Sequence, residues 1–249
     1  MTRTKILITG ASAGLGAAMA RDFASKGRDL ALCARRLGAL EALRDELVAA
    51  HPDITVAVRA LDVDEHQAVP RVFGELRDEL GGLDRVIVNA GLGKGAVIGS
   101  GRADANLATA MTNFVSALAQ AEAALEIFRA QNAGHLVLVS SMSAVRGLPG
   151  KKAAYSASKA GLAALGQALT TELAKSPIAV TTLLPGFIAT DMAAKAGDAR
   201  MVTPLDKGVA ALVTAIEKEQ QRACVPAWPW RLIDLVLPHV PGALVSRMG

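Results

Sequence analysis

Seven short apolar runs, each followed by a stretch of helical or turn pattern, leave this chain few ways to fold. The runs are KILIT (5–9), LALCA (30–34), TVAVRAL (55–61), RVIVN (85–89), HLVLVS (135–140), AVTTLL (179–184) and RACVP (222–226). They are rich in Val, Leu and Ile and do not alternate with polar residues, as expected of strands covered on both faces. Helical patterns occupy 15–26, 37–50, 65–80, 104–131, 154–175 and 204–219. Strand and helix in alternation imply right-handed crossovers, and therefore an α/β fold: a doubly wound, seven-stranded parallel sheet with helices on both faces. The last helix has a start signal in Thr203, as a cap, and Pro204, at the first helical position. The helix before it stops at Ser176-Pro177. The 249 residues suit one domain, 1–249, without repeat or linker.

Composition narrows the core and the partners. Hydrophobic residues make up 51% of the chain and aromatics only 3%, so the core is built from Ala, Val, Leu and Ile. Net charge is +4, but Lys and Arg are scattered and no aromatics interleave with them, which argues against nucleic acid. Cys33 and Cys224 have no metal-ligand spacing and read as buried, reduced thiols. The four histidines (His51, His66, His135, His239) form no ligand pattern and read as surface or helix-end residues; no metal is expected. MTRTKILITGASAG enters a strand at once, without a signal-peptide pattern, and no run approaches the ~20 apolar residues of a membrane span. The expectation is a soluble, cytoplasmic protein.

A doubly wound sheet binds ligands beyond the carboxyl ends of its strands. After the first run comes TGASAGLG, with Gly10, Ser12, Gly14, Leu15 and Gly16. Its glycines allow a tight turn and close backbone approach to a pyrophosphate, whose charge rests on the next helix N-terminus. No Gly-Lys-Ser/Thr follows, so the turn is not an ATP or GTP loop. After the second run an NAD site wants an acidic residue for the ribose 2′-OH. Here stand Arg35 and Arg36, whose guanidinium forks match a 2′-phosphate, so NADP(H) is preferred. A solvated basic start to the next helix is the competing view, and it fits Arg36 better than Arg35. Ala13 stands where a second basic residue often helps. In LDVD, Asp62 can accept from the adenine amino group, cap a helix, or do both, with the Val63 backbone alongside. In VNAG, Asn89, Ala90 and Gly91 are small enough for a cofactor to lie on the sheet.

Tyr155 is the only tyrosine, and Lys159 follows it at i+4, on the same helical face. A phenol with a pKa near 10 is a poor base at neutral pH. A neighbouring ammonium favours the phenolate, and the expectation is that Lys159 lowers the Tyr155 pKa into a useful range. Such a pair can give a proton to a carbonyl oxygen as hydride arrives, or take one from an alcohol. Upstream, VLVSSMS ends a strand with serine hydroxyls that can polarise the same carbonyl.

These motifs together resemble the short-chain dehydrogenase/reductase family, in its branch of roughly 250-residue single domains. TGASAGLG is similar to the family's cofactor turn, LDV to its adenine contact, NAG to its fourth-strand motif and YSASK to its active-site motif. LPGFIATDM (184–192) resembles the segment that holds the carboxamide, here through Pro185, Gly186, the Ile188 backbone and the Thr190 hydroxyl. The resemblance implies a Rossmann-like fold, an NADP(H) cofactor, and a catalytic group of Asn113, Ser141, Tyr155 and Lys159. Asn113, in MTNFVSA, would hold a water that relays protons to Lys159, and Lys159 would also donate to the nicotinamide ribose. Ser141 would orient the substrate. It lies 14 positions before Tyr155, one more than the family pattern, which leaves Ser143 as a rival. Ser116 stands where that helix motif often has glycine. A homodimer or homotetramer built on the helices 104–131 and 154–175 is also implied.

The surroundings are read more coarsely. Residues 192–202 suggest a substrate lid, and GLGKGAVIGSG (91–101) a second pocket wall. The apolar tail 226–249 carries both tryptophans and four prolines. It fits a pocket cover, a subunit interface or a peripheral membrane contact. Its character suggests a hydrophobic ketone, aldehyde or alcohol substrate. The alternative function is a non-catalytic NADP(H)-binding regulator or scaffold.

Overall fold

The computed structural model describes residues 3–190 and 201–246. Seven parallel strands form one sheet: β1 (Lys5–Thr9), β2 (Asp29–Ala34), β3 (Val56–Ala60), β4 (Arg85–Val88), β5 (Gly134–Val139), β6 (Ile178–Pro185) and β7 (Arg222–Val225). Their order is β3-β2-β1-β4-β5-β6-β7, so the winding reverses between β1 and β4. A crevice therefore opens above the carboxyl ends of those two strands, where ligands of such sheets bind. The register is regular: Ile6, Leu7 and Ile8 face Leu30, Ala31 and Leu32 on one side and Arg85, Val86 and Ile87 on the other.

Successive side chains of a strand point to opposite faces, and the core divides accordingly. Ile6, Ile8, Leu30 and Leu32 pack on α1 (Gly14–Ser25), α2 (Leu37–Ala50) and α7 (Leu205–Glu217). Leu7, Ala31, Val86 and Val88 pack on α3 (Ala68–Leu80), α5 (Ser116–Gln131) and α6 (Ala153–Glu172). Burying each Val, Leu or Ile contributes about 1.5–3 kcal/mol, which explains why the central strands are mostly apolar on both faces.

Several elements differ from the sequence expectation. The helix expected from 65 begins at Ala68, because residues 62–65 form a turn in which Glu65 N–H donates to Asp62 O (3.0 Å). The helix expected over 104–131 is divided into α4 (Ala103–Ala110), a π-helical turn (Met111–Val115) and α5. Pro204, not Thr203, is the N-cap of α7. Thr203 instead exchanges backbone hydrogen bonds with Phe187 (2.8 Å) and Ala189 (2.9 Å), tying the helix start to the segment after β6. Beyond β7, α8 (Ala227–Val236) and α9 (Gly242–Val245) form the described part of the tail.

His135 corrects the view of the histidines as surface residues. It is fully buried on β5, and its Nδ1 accepts from Arg85 Nε (2.9 Å). A guanidinium only donates, so the ring proton is on Nε2, 2.8 Å from Thr181 Oγ1. Arg85, also fully buried, reaches Glu217 (3.1 Å) as well. Burial, then the Arg85 and Arg3 charges, hold the His135 pKa well below its usual value. Cys33 is buried as expected, whereas Cys224 is only half-buried; both are free thiols. Among the described residues no helix is long and apolar enough to cross a membrane, and no His/Cys/Asp/Glu group could hold a metal.

Candidate active site

The turn after β1 is built by close backbone approach. Gly10 has φ +65°, and a Cβ on it would lie 2.9 Å from Ala90 Cα. A Cβ on Gly16 would lie 2.5 Å from Gly10 O and 2.7 Å from Asn89 Nδ2. The turn is thus pressed against β4, and α1 starts behind it with neither a side-chain cap nor an acidic residue in its first turn. Those free N–H groups and the positive end of the helix suit a pyrophosphate.

Asn89 serves this turn. Its Nδ2 donates to Thr9 O (2.9 Å), while Thr9 Oγ1 accepts from Asn89 N (3.0 Å) and Ala90 N (3.1 Å). Thr9 is absent from the sequence-derived candidates. Its signal is a lone hydroxyl closing an otherwise apolar strand. Arg36 is exposed and caps the start of α2, as a solvated basic helix start requires, and it also folds back over the turn, donating to Ser12 Oγ (3.0 Å) and Ser12 O (3.3 Å). Arg35 lies 4.0 Å from Asp62. The two arginines therefore stand just beyond the end of β2, one beside Asp62 and the other over the glycine turn. Asp62 does not cap α3. Its Oδ1 accepts from Asp64 N (3.1 Å), and Val63 beside it is buried.

The residues expected to transfer protons lie beyond β4 and β5. Ser140 and Ser141 close β5 on opposite sides. Ser140 Oγ donates to Lys159 O (2.7 Å), anchoring α6, whereas the Ser141 hydroxyl acts on the Tyr155 phenol, favouring its ionised form. Ser141 Oγ also accepts from Ser143 N (3.1 Å), and of the two serines it is Ser141 that acts on the tyrosine. Lys159 is buried, with Nζ donating to Val139 O (2.8 Å). Asn113 is fully buried on the π-helical turn; its Oδ1 accepts from Leu92 N (2.7 Å) and its Nδ2 donates to Leu92 O (2.9 Å). Gly91 separates the two, since a Cβ there would lie 3.1 Å from Asn113 Oδ1 and 3.5 Å from Lys159 Nζ. Ser158, also missed in the sequence, accepts from Asn113 Nδ2 (3.3 Å).

The expected direction of the tyrosine shift is overturned. Tyr155 keeps partial exposure, yet desolvation around its hydroxyl pushes the pKa up, against a smaller lowering by Ser141. Burial lowers the Lys159 pKa to about 8. The ammonium is turned to the Val139 carbonyl, and Ser141 is the group that favours the phenolate.

Beyond β6, Pro185 ends the strand and Gly186 lies against the Trp230 indole, where a Cβ would fall 2.0 Å from the ring. Ile188 is buried and bridges Thr203; Thr190 is partly exposed at the end of the described segment. Residues 192–200 of the expected lid lie outside the described residues; Met201 and Val202 are exposed. Trp230 packs with Met142, Leu184 and, edge to face at 5.5 Å, Phe187. Arg146 donates to Pro238 O (3.1 Å) and Val240 O (3.3 Å), strapping the tail to the segment after Ser141. The other face of α8 carries Trp228, which is 75% exposed, with Leu232, Leu235 and Val236.

Comparison with known proteins agrees with this geometry. The family model for short chain dehydrogenases matches residues 4–201. An uncharacterized oxidoreductase of Mycobacterium tuberculosis is 55% identical over 249 residues, covering 100% of this chain and 98% of the relative. The crystal structure of levodione reductase superposes with TM-score 0.82 at 22% identity, covering 93% of this chain and 99% of that one. An alcohol dehydrogenase of Thermococcus sibiricus, complexed with 5-hydroxy-NADP, gives 0.78 at 24% identity, covering 89% and 95%. The chain belongs to the short-chain dehydrogenase family of oxidoreductases.

Proposed function

We propose that the protein is an NADP(H)-dependent carbonyl reductase, interconverting a hydrophobic ketone or aldehyde and its alcohol. The observation that carries this reading is the convergence of buried Lys159 and Asn113 on Gly91, with Tyr155 one helical turn before Lys159 and under the influence of Ser141. Gly10, Ser12, Gly14, Leu15 and Gly16 would hold the pyrophosphate. Asp62 and Val63 would meet the adenine, and Asn89, Ala90 and Gly91 would form the floor. Pro185, Gly186, Ile188 and Thr190 would meet the carboxamide. The nicotinamide, when bound, supplies the hydride.

The chain's own groups handle the proton. Burial keeps Tyr155 protonated at neutral pH, which suits donation to a carbonyl oxygen and hence the reductive direction. Ser141 orients that oxygen. Lys159 stays largely protonated at pH 7 with a pKa of about 8, and Asn113 closes the relay behind it. Arg35 and Arg36 favour a 2′-phosphate over a bare ribose because a guanidinium–phosphate pair is charge-assisted. The apolar group of Met142, Leu184, Phe187 and Trp230 supports a hydrophobic substrate. Exposed Leu107, Met111 and Val115, four apart along the helical segments, support a homo-oligomer. A cytoplasmic location and small-molecule partners alone are in keeping with this reading.

The test is transfer of deuterium from 4-deuterated NADPH to the carbinol carbon of products from a panel of apolar ketones and aldehydes. The reading expects labelled alcohol and a preference for NADPH over NADH. NADPH binding without labelled product across the panel would favour the regulator, and equal use of NADH would remove the roles of Arg35 and Arg36.

A further inference from the structure

Asn113 owes its placement to a contact outside the catalytic group. It sits in the π-helical turn Met111–Val115, where Ser116 N–H reaches back to Met111 O, one residue beyond the α-helical partner. Such turns are rare, occur mostly as single turns within α-helices and are frequent at functional sites, so a side-chain contact that holds one matters. Here the contact is the carboxylate of Asp64, from the turn after β3. Thr112 Oγ1 donates to Asp64 Oδ2 (2.8 Å) and Ser116 Oγ donates to Asp64 Oδ1 (2.6 Å). Thr112 and Ser116 are four apart and share one face, with Asn113 turned away from it toward Leu92. One carboxylate therefore grips the helix on both sides of Asn113.

The grip has a further support. The Ser116 hydroxyl donates its hydrogen bond to Asp64, so the 2.9 Å contact with His66 Nε2 is a donation from the ring N–H. Asp64 reaches solvent, but both hydroxyls it binds are buried. Without the carboxylate they would bond to carbonyls of their own helix, the alternative open to Ser and Thr, and the reason to keep the extra residue in the turn would be gone. Asp64 is also joined to the adenine side, since its N–H donates to Asp62 Oδ1 (3.1 Å).

We propose that Asp64 is a positioning residue: its carboxylate, bound to Thr112 and Ser116 and supported by His66, holds the π-helical turn that aims Asn113 at Leu92 and Ser158. Its catalytic meaning rests on the reductase reading, but its structural claim does not. Leu92 N–H donates to Asn113 Oδ1 and so reports Asn113 directly, whereas Ala90 N–H, two residues away, is held by Thr9.

The experiment is amide hydrogen exchange on the full chain, comparing wild type with Asp64→Ala, Asp64→Asn and the neighbouring exposed Glu65→Ala. Leu92 exchange rises by about tenfold or more in Asp64→Ala, while Ala90 stays within about twofold, because local opening at one contact need not spread. Asp64→Asn keeps the shape and one acceptor, guarding against a failure to fold, and gives a smaller rise; Glu65→Ala gives none. In the active enzyme, kcat falls in Asp64→Ala while the KM for NADPH holds. Unchanged Leu92 exchange in both Asp64 variants, or Leu92 and Ala90 rising by the same factor, would overturn the proposal. The exchange readout stands even for a chain that turns over no carbonyl, so the two readings fail separately.

Discussion

Lys159→Met should stabilise the ligand-free protein. Burial brings the Lys159 pKa from 10.5 to about 8, which corresponds to about 3 kcal/mol lost to the folded state wherever pH lies below 8. Losing the Nζ–Val139 hydrogen bond returns about 1 kcal/mol of that gain. The net expectation at pH 7 is about 2 kcal/mol in favour of methionine, which fills a similar volume without a charge. The sign with pH is set by proton uptake. Between pH 8 and 10.5 the unfolded chain still holds the Lys159 proton and the folded chain has released it, so wild-type stability rises through that window. The advantage of the variant therefore shrinks as pH rises. Urea unfolding followed by circular dichroism, without cofactor, at intervals from pH 7 to 10 measures both quantities. A variant less stable than wild type at pH 7, or an advantage unchanged up to pH 10, would refute the reasoning.

Three further outcomes are expected. Gly16→Ala forces a Cβ to 2.5 Å from Gly10 O, so melting curves should show a loss of about 1–3 kcal/mol and a smaller upward shift on adding NADPH. The depressed pKa of His135 makes the unfolded chain take up a proton near pH 6.5 that the folded chain refuses, so stability falls as pH drops below that value. His135→Gln should flatten the slope by about 1.4 kcal/mol per pH unit, read from urea midpoints between pH 7 and 5. Trp230→Ala should cost about 3–5 kcal/mol and Trp228→Ala less than about 0.5, because only Trp230 is buried; equal losses in thermal unfolding would contradict the packing.

Much of the architecture is legible because strands buried on both faces leave a continuous apolar record. KILIT marks β1 residue for residue, and the other strand ends fall within a residue or two of their apolar runs. What escapes is decided by contacts between distant segments. Residues 104–131 look like one helix because nothing local marks a π-helical turn; its cause is Asp64, far back in the chain. Thr203-Pro204 looks like a cap and first turn, but pairing with Phe187 and Ala189 moves the helix start. His135 and Arg85 look like ordinary polar residues at strand starts, and only the packing of α7 shows that they share a buried site.

The candidate site divides in the same way. Residue identities and helical spacing place Tyr155, Lys159 and the glycine turn, since periodicity alone puts i and i+4 on one face. The choice between Ser141 and Ser143 depends on how β5 ends in the folded chain. So does the sign of the tyrosine shift, because desolvation cannot be read from a neighbour's charge.

The central claim is that Tyr155 is the proton donor in hydride transfer to a carbonyl. Its most direct test is single-turnover oxidation of bound NADPH by an accepted carbonyl, comparing wild type with Tyr155→Phe at matched cofactor occupancy. The rate should be at least about a hundredfold lower in the phenylalanine variant, the lower range for losing a general acid, with NADPH affinity unchanged. A variant that oxidises NADPH at the wild-type rate would contradict it.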